Sequence, residues 1–144
     1  MPYWRLFYHV VWTTKHRLDL IDPAWEKDLY GYMWGKATAL ECIPHAIGGI
    51  SDHIHVAISI PPKLAVATVT GQLKGSSSHH INKNYAHGSF MWQAEYGVLS
   101  FSEKGLASII GYINNQKKHH ADRTLNLALE DIESSPPDAQ SSGS

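Results

Sequence analysis

The stretch that decides the fold is Ser51-Asp52-His53-Ile54-His55-Val56-Ala57-Ile58. A Ser-Asp turn followed by alternating residues predicts a strand over 53–60, stopped by Pro61-Pro62. In a strand, side chains two apart share a face. His53 and His55 therefore stand together, with Ile54 and Val56 on the opposite face. Two neighbouring imidazoles make half of a metal site. In a chain with ten histidines, a chance pair is the competing reading.

Working outward, residues 43–50 read as a strand paired to this one, with Gly48-Gly49 marking a bulge or bend. Asp22-Pro23 opens a helix, an acidic N-cap before proline at the first position. Trp25, Leu29, Tyr32, Met33, Ala37 and Leu40 carry its apolar spacing through residue 41. Residues 3–14, rich in aromatic and β-branched types, form the first strand. Downstream, a helix is expected over 64–84, with Leu64, Val66, Val69, Leu73 and Ile81 inward. A loop anchored by Phe90 and Trp92 leads to a short strand at 96–101. Ser102 caps a last helix that runs to about Arg123.

The order is β-α-β-β-α-β plus one helix: an α+β, ferredoxin-like arrangement with the first and third strands central. Residues 1–125 are expected as one domain. Residues 126–144, acidic and rich in Ser and Pro, are expected as a disordered tail. This fold hosts many functions and decides none.

The 144 residues suffice for one core. The net charge of −1 is uneven, because Glu130, Asp131, Glu133 and Asp138 crowd the end. Residues 1–129 carry 12 basic against 9 acidic side chains, a balance of +3, which permits a polyanion partner without demanding one. No apolar run is long enough to span a bilayer, the first residues lack the form of a signal peptide, and Cys42 is the single cysteine. A cytoplasmic setting and no membrane partner are the expectation.

The last helix adds chemistry. Leu106, Ile109, Ile110 and Ile113 form its apolar stripe, and Tyr112, Gln116 and His119 follow a line at its margin. A tyrosine oxygen can attack phosphorus, weakly unless charge is withdrawn nearby. A divalent ion on the phosphate withdraws it. A glutamine carbonyl is a neutral metal ligand. Two imidazoles and one amide oxygen suit Mg²⁺ or Mn²⁺, the latter better by softness, and Zn²⁺ is also compatible. Spacing alone equally allows an interfacial Tyr beside a surface Gln.

Taken together, His53-Ile54-His55, Trp92-Gln93-Ala94-Glu95-Tyr96-Gly97, Tyr112-Ile113-Asn114-Asn115-Gln116 with Lys117-Lys118-His119-His120, Pro61-Pro62-Lys63-Leu64 and the start ending in Lys15-His16-Arg17 resemble a family. It is the single-tyrosine HUH transposases of small insertion sequences that move as single-stranded DNA. The likeness runs over about residues 3–122, in order. It implies that His53, His55 and Gln116 are metal ligands and Tyr112 the nucleophile. It further implies cleavage of single-stranded DNA through a 5′-phosphotyrosyl link, rejoining by a 3′-hydroxyl, hairpin ends as targets, and a homodimer. Ala94 and Glu95 depart from the family's Trp-Gln-Glu-Gly-Tyr-Gly run, at a loop position. Lys15, Arg17, Lys74 and Lys117 are the expected phosphate contacts.

Two other readings compete. A non-catalytic module binding single strands through its aromatic first strand would need neither metal nor Tyr112. A small-molecule hydrolase would use His53, His55 and a water, but no carboxylate has an evident place beside the pair.

Overall fold

The computed structural model describes residues 4–122 and 127–130. Four strands, β1 (Phe7–Thr13), β2 (Ile43–Ile50), β3 (His53–Ser59) and β4 (Gly97–Phe101), form one antiparallel sheet in the order β2-β3-β1-β4. Helices α1 (Glu26–Ala39) and α2 (Val66–Ile81) complete the ferredoxin-like arrangement. The expected central strands, first and third, are indeed central. Three short helices follow: α3 (Leu106–Asn114), α4 (Gln116–Asp122) and α5 (Leu127–Glu130). No helix among the described residues is long and apolar enough to cross a membrane.

The sheet has two unlike faces. One packs on α1 and α2 and holds the main core: Val10 and Trp12 from β1, Ile54, Val56 and Ile58 from β3, Leu29, Met33 and Ala37 from α1, and Val69, Leu73 and Ile81 from α2. Each large side chain buried here contributes roughly 1.5–3 kcal/mol, so this face carries most of the fold. Phe90 is fully buried in the same cluster and Trp92 packs on it, as the loop anchors expected. Among the described residues the other face holds only Ala46, Ala57 and Ile113 in its buried cluster, with Phe101, Ile109 and Ile110 at its margin.

Register assigns the histidines to the second face. Ser51-Asp52 is the two-residue loop between β2 and β3, pairing Ile50 with His53 and Gly48 with His55. On the other side Val11 pairs with His55 and Thr13 with His53. A slip of one residue would turn both imidazoles into the hydrocarbon core. The alternation of Ile54, Val56 and Ile58 forbids it.

Several boundaries differ from expectation. Asp22 does not cap a helix directly: its Oδ1 accepts from the Ala24 amide at 2.9 Å, and the helix starts only at Glu26. The strand irregularity lies between Pro44 and Ala46 instead of at Gly48-Gly49, because proline lacks the amide the ladder needs. Ser102 makes no side-chain cap. The last helix is not continuous: it breaks at Asn115 (φ −110°, ψ 26°), whose side-chain amide bonds back to the Gly111 carbonyl at 2.8 Å. Asparagine competes with the helical backbone in this way. Within the expected tail, residues 127–130 are helical and α5 packs beside β1. The tail expectation for residues 131–144 lies outside the described residues.

Candidate active site

Gly48 determines how closely the last helices approach the histidines. A Cβ at this position would lie 2.4 Å from the Ile113 carbonyl oxygen. The α3 backbone thus rests directly on the β2 backbone, beside the strand position of His55. No residue but glycine allows this approach. The helix settles on its own chain's histidines: the Tyr112 ring lies edge-on to the His55 ring at 5.9 Å, and Gln116 is buried.

His53 and His55 are almost fully buried, at 1% and 0% exposure. Each has its Nδ1 engaged. His53 Nδ1 donates to Asp52 Oδ1 at 2.7 Å, and His55 Nδ1 meets His9 Nε2 at 2.8 Å. His9, on β1, stacks on the His55 ring at 5.0 Å and 19°. Partners of this kind orient a ligating imidazole and fix which nitrogen is free. Here the nitrogen left for other partners in both rings is Nε2, and both face one place. His9 Nε2 suits either role: it donates while His55 Nε2 bonds a carboxylate, and accepts when that Nε2 turns its lone pair to a cation.

The carboxylate of Glu130 lies at that place. Its oxygens are 3.2 Å from His53 Nε2 and 3.1 Å from His55 Nε2. The Tyr112 hydroxyl donates to Glu130 Oε2 at 2.5 Å, and Gln116 Nε2 is 3.4 Å from the same oxygen. His120 Nε2 lies 3.2 Å from His53 Nε2 and 3.2 Å from Gln116 Oε1. His119, expected on the Tyr112 line, stacks on the Tyr112 ring at 4.6 Å.

Burial and charge act against each other here. Partial burial would raise the Glu130 carboxyl, but hydrogen bonds from His53, His55 and Tyr112 hold it well below the usual range. Burial would lower His53, yet its bonds to Asp52 and Glu130 raise it overall. The His53 bond also holds the Asp52 carboxyl low. Burial lowers His55 and His120. Burial and then the neighbouring His55 push His9 down to about 4, so it is neutral near pH 7.

The four site residues expected from sequence, His53, His55, Tyr112 and Gln116, therefore converge in one chain. His9, Asp52, His120 and Glu130 were missed. His9 was recoverable: it alternates with Val11 on the β1 face that the sheet order turns towards His55. Asp52 is the residue before His53. Glu130 had no signal, since it is brought in by a short helix within what read as tail.

The expected phosphate contacts divide. Lys15 and Arg17 sit on an exposed single turn (Lys15–Arg17) in which His16 and Arg17 have positive φ of 57° and 54°. That turn is braced by Lys15 N donating to the Met91 carbonyl at 2.9 Å and by Gln93 N donating to the Thr13 carbonyl at 2.9 Å. Lys74 is placed differently. Its ammonium donates to the carbonyls of Gln93, Ala94 and Glu95 at 2.5, 3.0 and 3.4 Å, and burial lowers its pKa. It braces the loop behind the basic turn. Lys117 bonds Glu26 at 2.8 Å and the Gly49 carbonyl at 3.2 Å, tying α4 to α1 and β2.

The chain is similar to known transposases. The chain is 27% identical over 121 residues to the ISDra2 transposase TnpA of Deinococcus radiodurans, covering 78% of this chain and 85% of the relative. It is 28% identical over 124 residues to the transposase for insertion sequence element IS200 of Salmonella typhimurium, covering 78% of each. Among solved structures, a chain from Deinococcus radiodurans R1 described as a transposase superposes with a TM-score of 0.65 at 26% identity, covering 81% of this chain and 95% of that one. A REP-associated tyrosine transposase bound to a REP hairpin shares the fold, with a TM-score of 0.63 at 12% identity, covering 83% of this chain and 74% of that one. The model of the family described as "Transposase IS200 like" matches residues 2–116, which takes in both strand histidines, Tyr112 and Gln116, and the chain belongs to that family.

Proposed function

We propose that this transposase cleaves and rejoins single-stranded DNA at insertion-sequence ends through a covalent bond between Tyr112 and a 5′ phosphate. The observation that carries this reading is the meeting of the Tyr112 hydroxyl with the His53–His55 pair through one shared carboxylate. Tyr112 oxygen attacks the scissile phosphorus and loses its proton, the P–O3′ bond breaks, and the departing 3′ oxygen takes up a proton. Rejoining reverses this: a 3′-hydroxyl attacks the phosphotyrosyl phosphorus and the tyrosine oxygen leaves. One phosphodiester bond is exchanged for another at each step, so no nucleotide cofactor is needed.

His53, His55 and Gln116 would hold a divalent ion, Mg²⁺ or Mn²⁺. The residues fit it: both imidazoles present Nε2, and both have Nδ1 braced. When bound, the ion polarises the phosphate and offsets charge that develops in the transition state. His9 and Asp52 keep the two Nε2 atoms aimed. Burial of both rings and of Gln116 keeps bulk water from that side. Lys15 and Arg17 contact the DNA backbone in this reading. Hairpin ends as the target are supported by the REP hairpin carried by the solved neighbour. A homodimer is supported by β4, an edge strand with Val98 and Leu99 exposed at 40% and 44%.

The test is a radiolabelled single strand carrying a hairpin end, incubated with Mg²⁺ or Mn²⁺. The wild type should form a covalent adduct that survives denaturation, and Tyr112→Phe should form none. An adduct formed by Tyr112→Phe assigns the nucleophile elsewhere. Hairpin binding without cleavage by the wild type returns the protein to the non-catalytic binding reading.

A further inference from the structure

The strand histidines and Gln116 account for only part of the donor cluster. His120 and Glu130 lie beyond the residues that the family model matches, 2–116. Their ligating atoms nevertheless lie against those donors: His120 Nε2 is 3.2 Å from Gln116 Oε1, and the Glu130 oxygens are 3.2 Å from His53 Nε2 and 3.1 Å from His55 Nε2. One nitrogen each of His53 and His120 and one oxygen of Glu130 lie within 4.8 Å of one another. The closest pairs are 3.2 Å (His53 Nε2 to His120 Nε2), 3.2 Å (His53 Nε2 to Glu130 Oε1) and 3.6 Å (His120 Nε2 to Glu130 Oε1). Donors about 2.1 Å from one ion, in adjacent octahedral positions, lie about 3 Å apart, and in tetrahedral positions about 3.4 Å apart. The spacing matches that of neighbouring ligands on a single cation.

Burial points the same way. The Glu130 side chain is only 14% exposed and that of His120 23% exposed. Around the carboxylate stand three imidazoles, a phenol and an amide, and among the described residues no lysine or arginine pairs with it. A carboxylate withdrawn from water requires positive charge beside it. His120 Nε2 lies 3.2 Å from His53 Nε2, a separation that adjacent ligands of one cation also have.

We propose that His120 and Glu130 are direct ligands of the same ion as His53, His55 and Gln116, giving a centre of three imidazoles, one carboxylate and one amide oxygen that prefers Mn²⁺ to Mg²⁺. This rests on the metal reading of the strand histidines. Imidazole nitrogen suits transition ions, whereas Mg²⁺ keeps to oxygen donors and gives up water reluctantly. Each added imidazole therefore widens the preference.

The experiment is titration of the full-length protein with Mn²⁺ and with Mg²⁺ by calorimetry, together with pulsed EPR of the Mn²⁺ complex. The wild type should bind one Mn²⁺ with three coupled imidazole nitrogens, and bind Mg²⁺ more weakly. His120→Ala should lose one nitrogen coupling, and His120→Ala and Glu130→Gln should each weaken Mn²⁺ by at least ~10-fold, the lower bound for losing even an outer-shell partner. If His55→Ala loses Mn²⁺ while His120→Ala and Glu130→Gln keep wild-type affinity, the extra ligands are refuted and the strand centre stands. Two nitrogens in the wild-type spectrum refute His120 without any variant. If the wild type binds no Mn²⁺, both the extra ligands and the metal reading fall.

Discussion

The two halves of the site are built differently. The strand half, His53 and His55, sits at the centre of a four-stranded sheet whose other face is packed by two long helices. Its rings are braced from behind by Asp52 and His9. The helical half, Tyr112, Gln116, His120 and Glu130, rides on three helices of nine, seven and four residues. Its buried apolar anchorage to the sheet is Ile113 against Ala46 and Ala57, with a glycine contact at Gly48. A half fixed on the main core thus faces one anchored by a small buried apolar cluster. Small apolar area gives a small free energy of undocking. This suits the proposed chemistry, in which one side chain forms a bond to DNA and later releases it.

The largest expected effect lies on the helical half. Tyr112→Phe should abolish cleavage, since removal of a nucleophile costs on the order of 10⁶-fold, while hairpin binding by gel shift stays near wild type. Gly48→Val comes next and breaks the comparison directly. Its Cβ would meet the Ile113 carbonyl, so α3 must lift, and displacement by about 1 Å can cost 10²-fold in rate. Cleavage should fall by that much or more while circular dichroism still shows the sheet. Unchanged cleavage would mean that the helix does not act from this docked position.

The strand half is probed by pH. His9 has a folded-state value of about 4 against 6.5 for the unfolded chain. Between these values the unfolded state binds more protons, so stability is full above pH 6.5 and is lost as pH falls towards 4. From pH 7 to pH 5, His9 should cost about 2 kcal/mol. His9→Gln should flatten that part of the pH dependence in urea titrations, and an equal slope in the variant would show that His9 is not held neutral. The smallest effect is at Lys74→Met. Removing a half-buried ammonium from three carbonyls should cost about 1 kcal/mol, read as a lower thermal midpoint with DNA affinity little changed. A loss of affinity that grows steeper at low salt would return Lys74 to phosphate contact.

Much of this was legible in the sequence, for local reasons. Ile54, Val56 and Ile58 alternate with His53 and His55, and that pattern needs no partner to be read. The apolar spacing of Leu29, Met33 and Ala37 and the Ser51-Asp52 turn have the same local character. The break at Asn115 was missed because Leu106 to Ile113 set a helical period that continues through it, whereas one asparagine side chain bonding to Gly111 decides otherwise. The brace that Lys74 gives the loop was not legible because a lysine's charge is visible in a sequence and the three carbonyls it meets are not.

The sequence by itself determined the sheet and the face on which His53 and His55 stand. These follow from periods of two and of about 3.6, which covalent geometry imposes on any chain. Tertiary structure alone decided that the tyrosine helix rests on its own chain's histidines, that Gly48 admits it, and that His9, His120 and Glu130 join the cluster. Those contacts link residues up to 75 positions apart, as His55 and Glu130 are. No local rule fixes such a distance. It is set by how the docked helices and the charge of a carboxylate among imidazoles balance against the sheet.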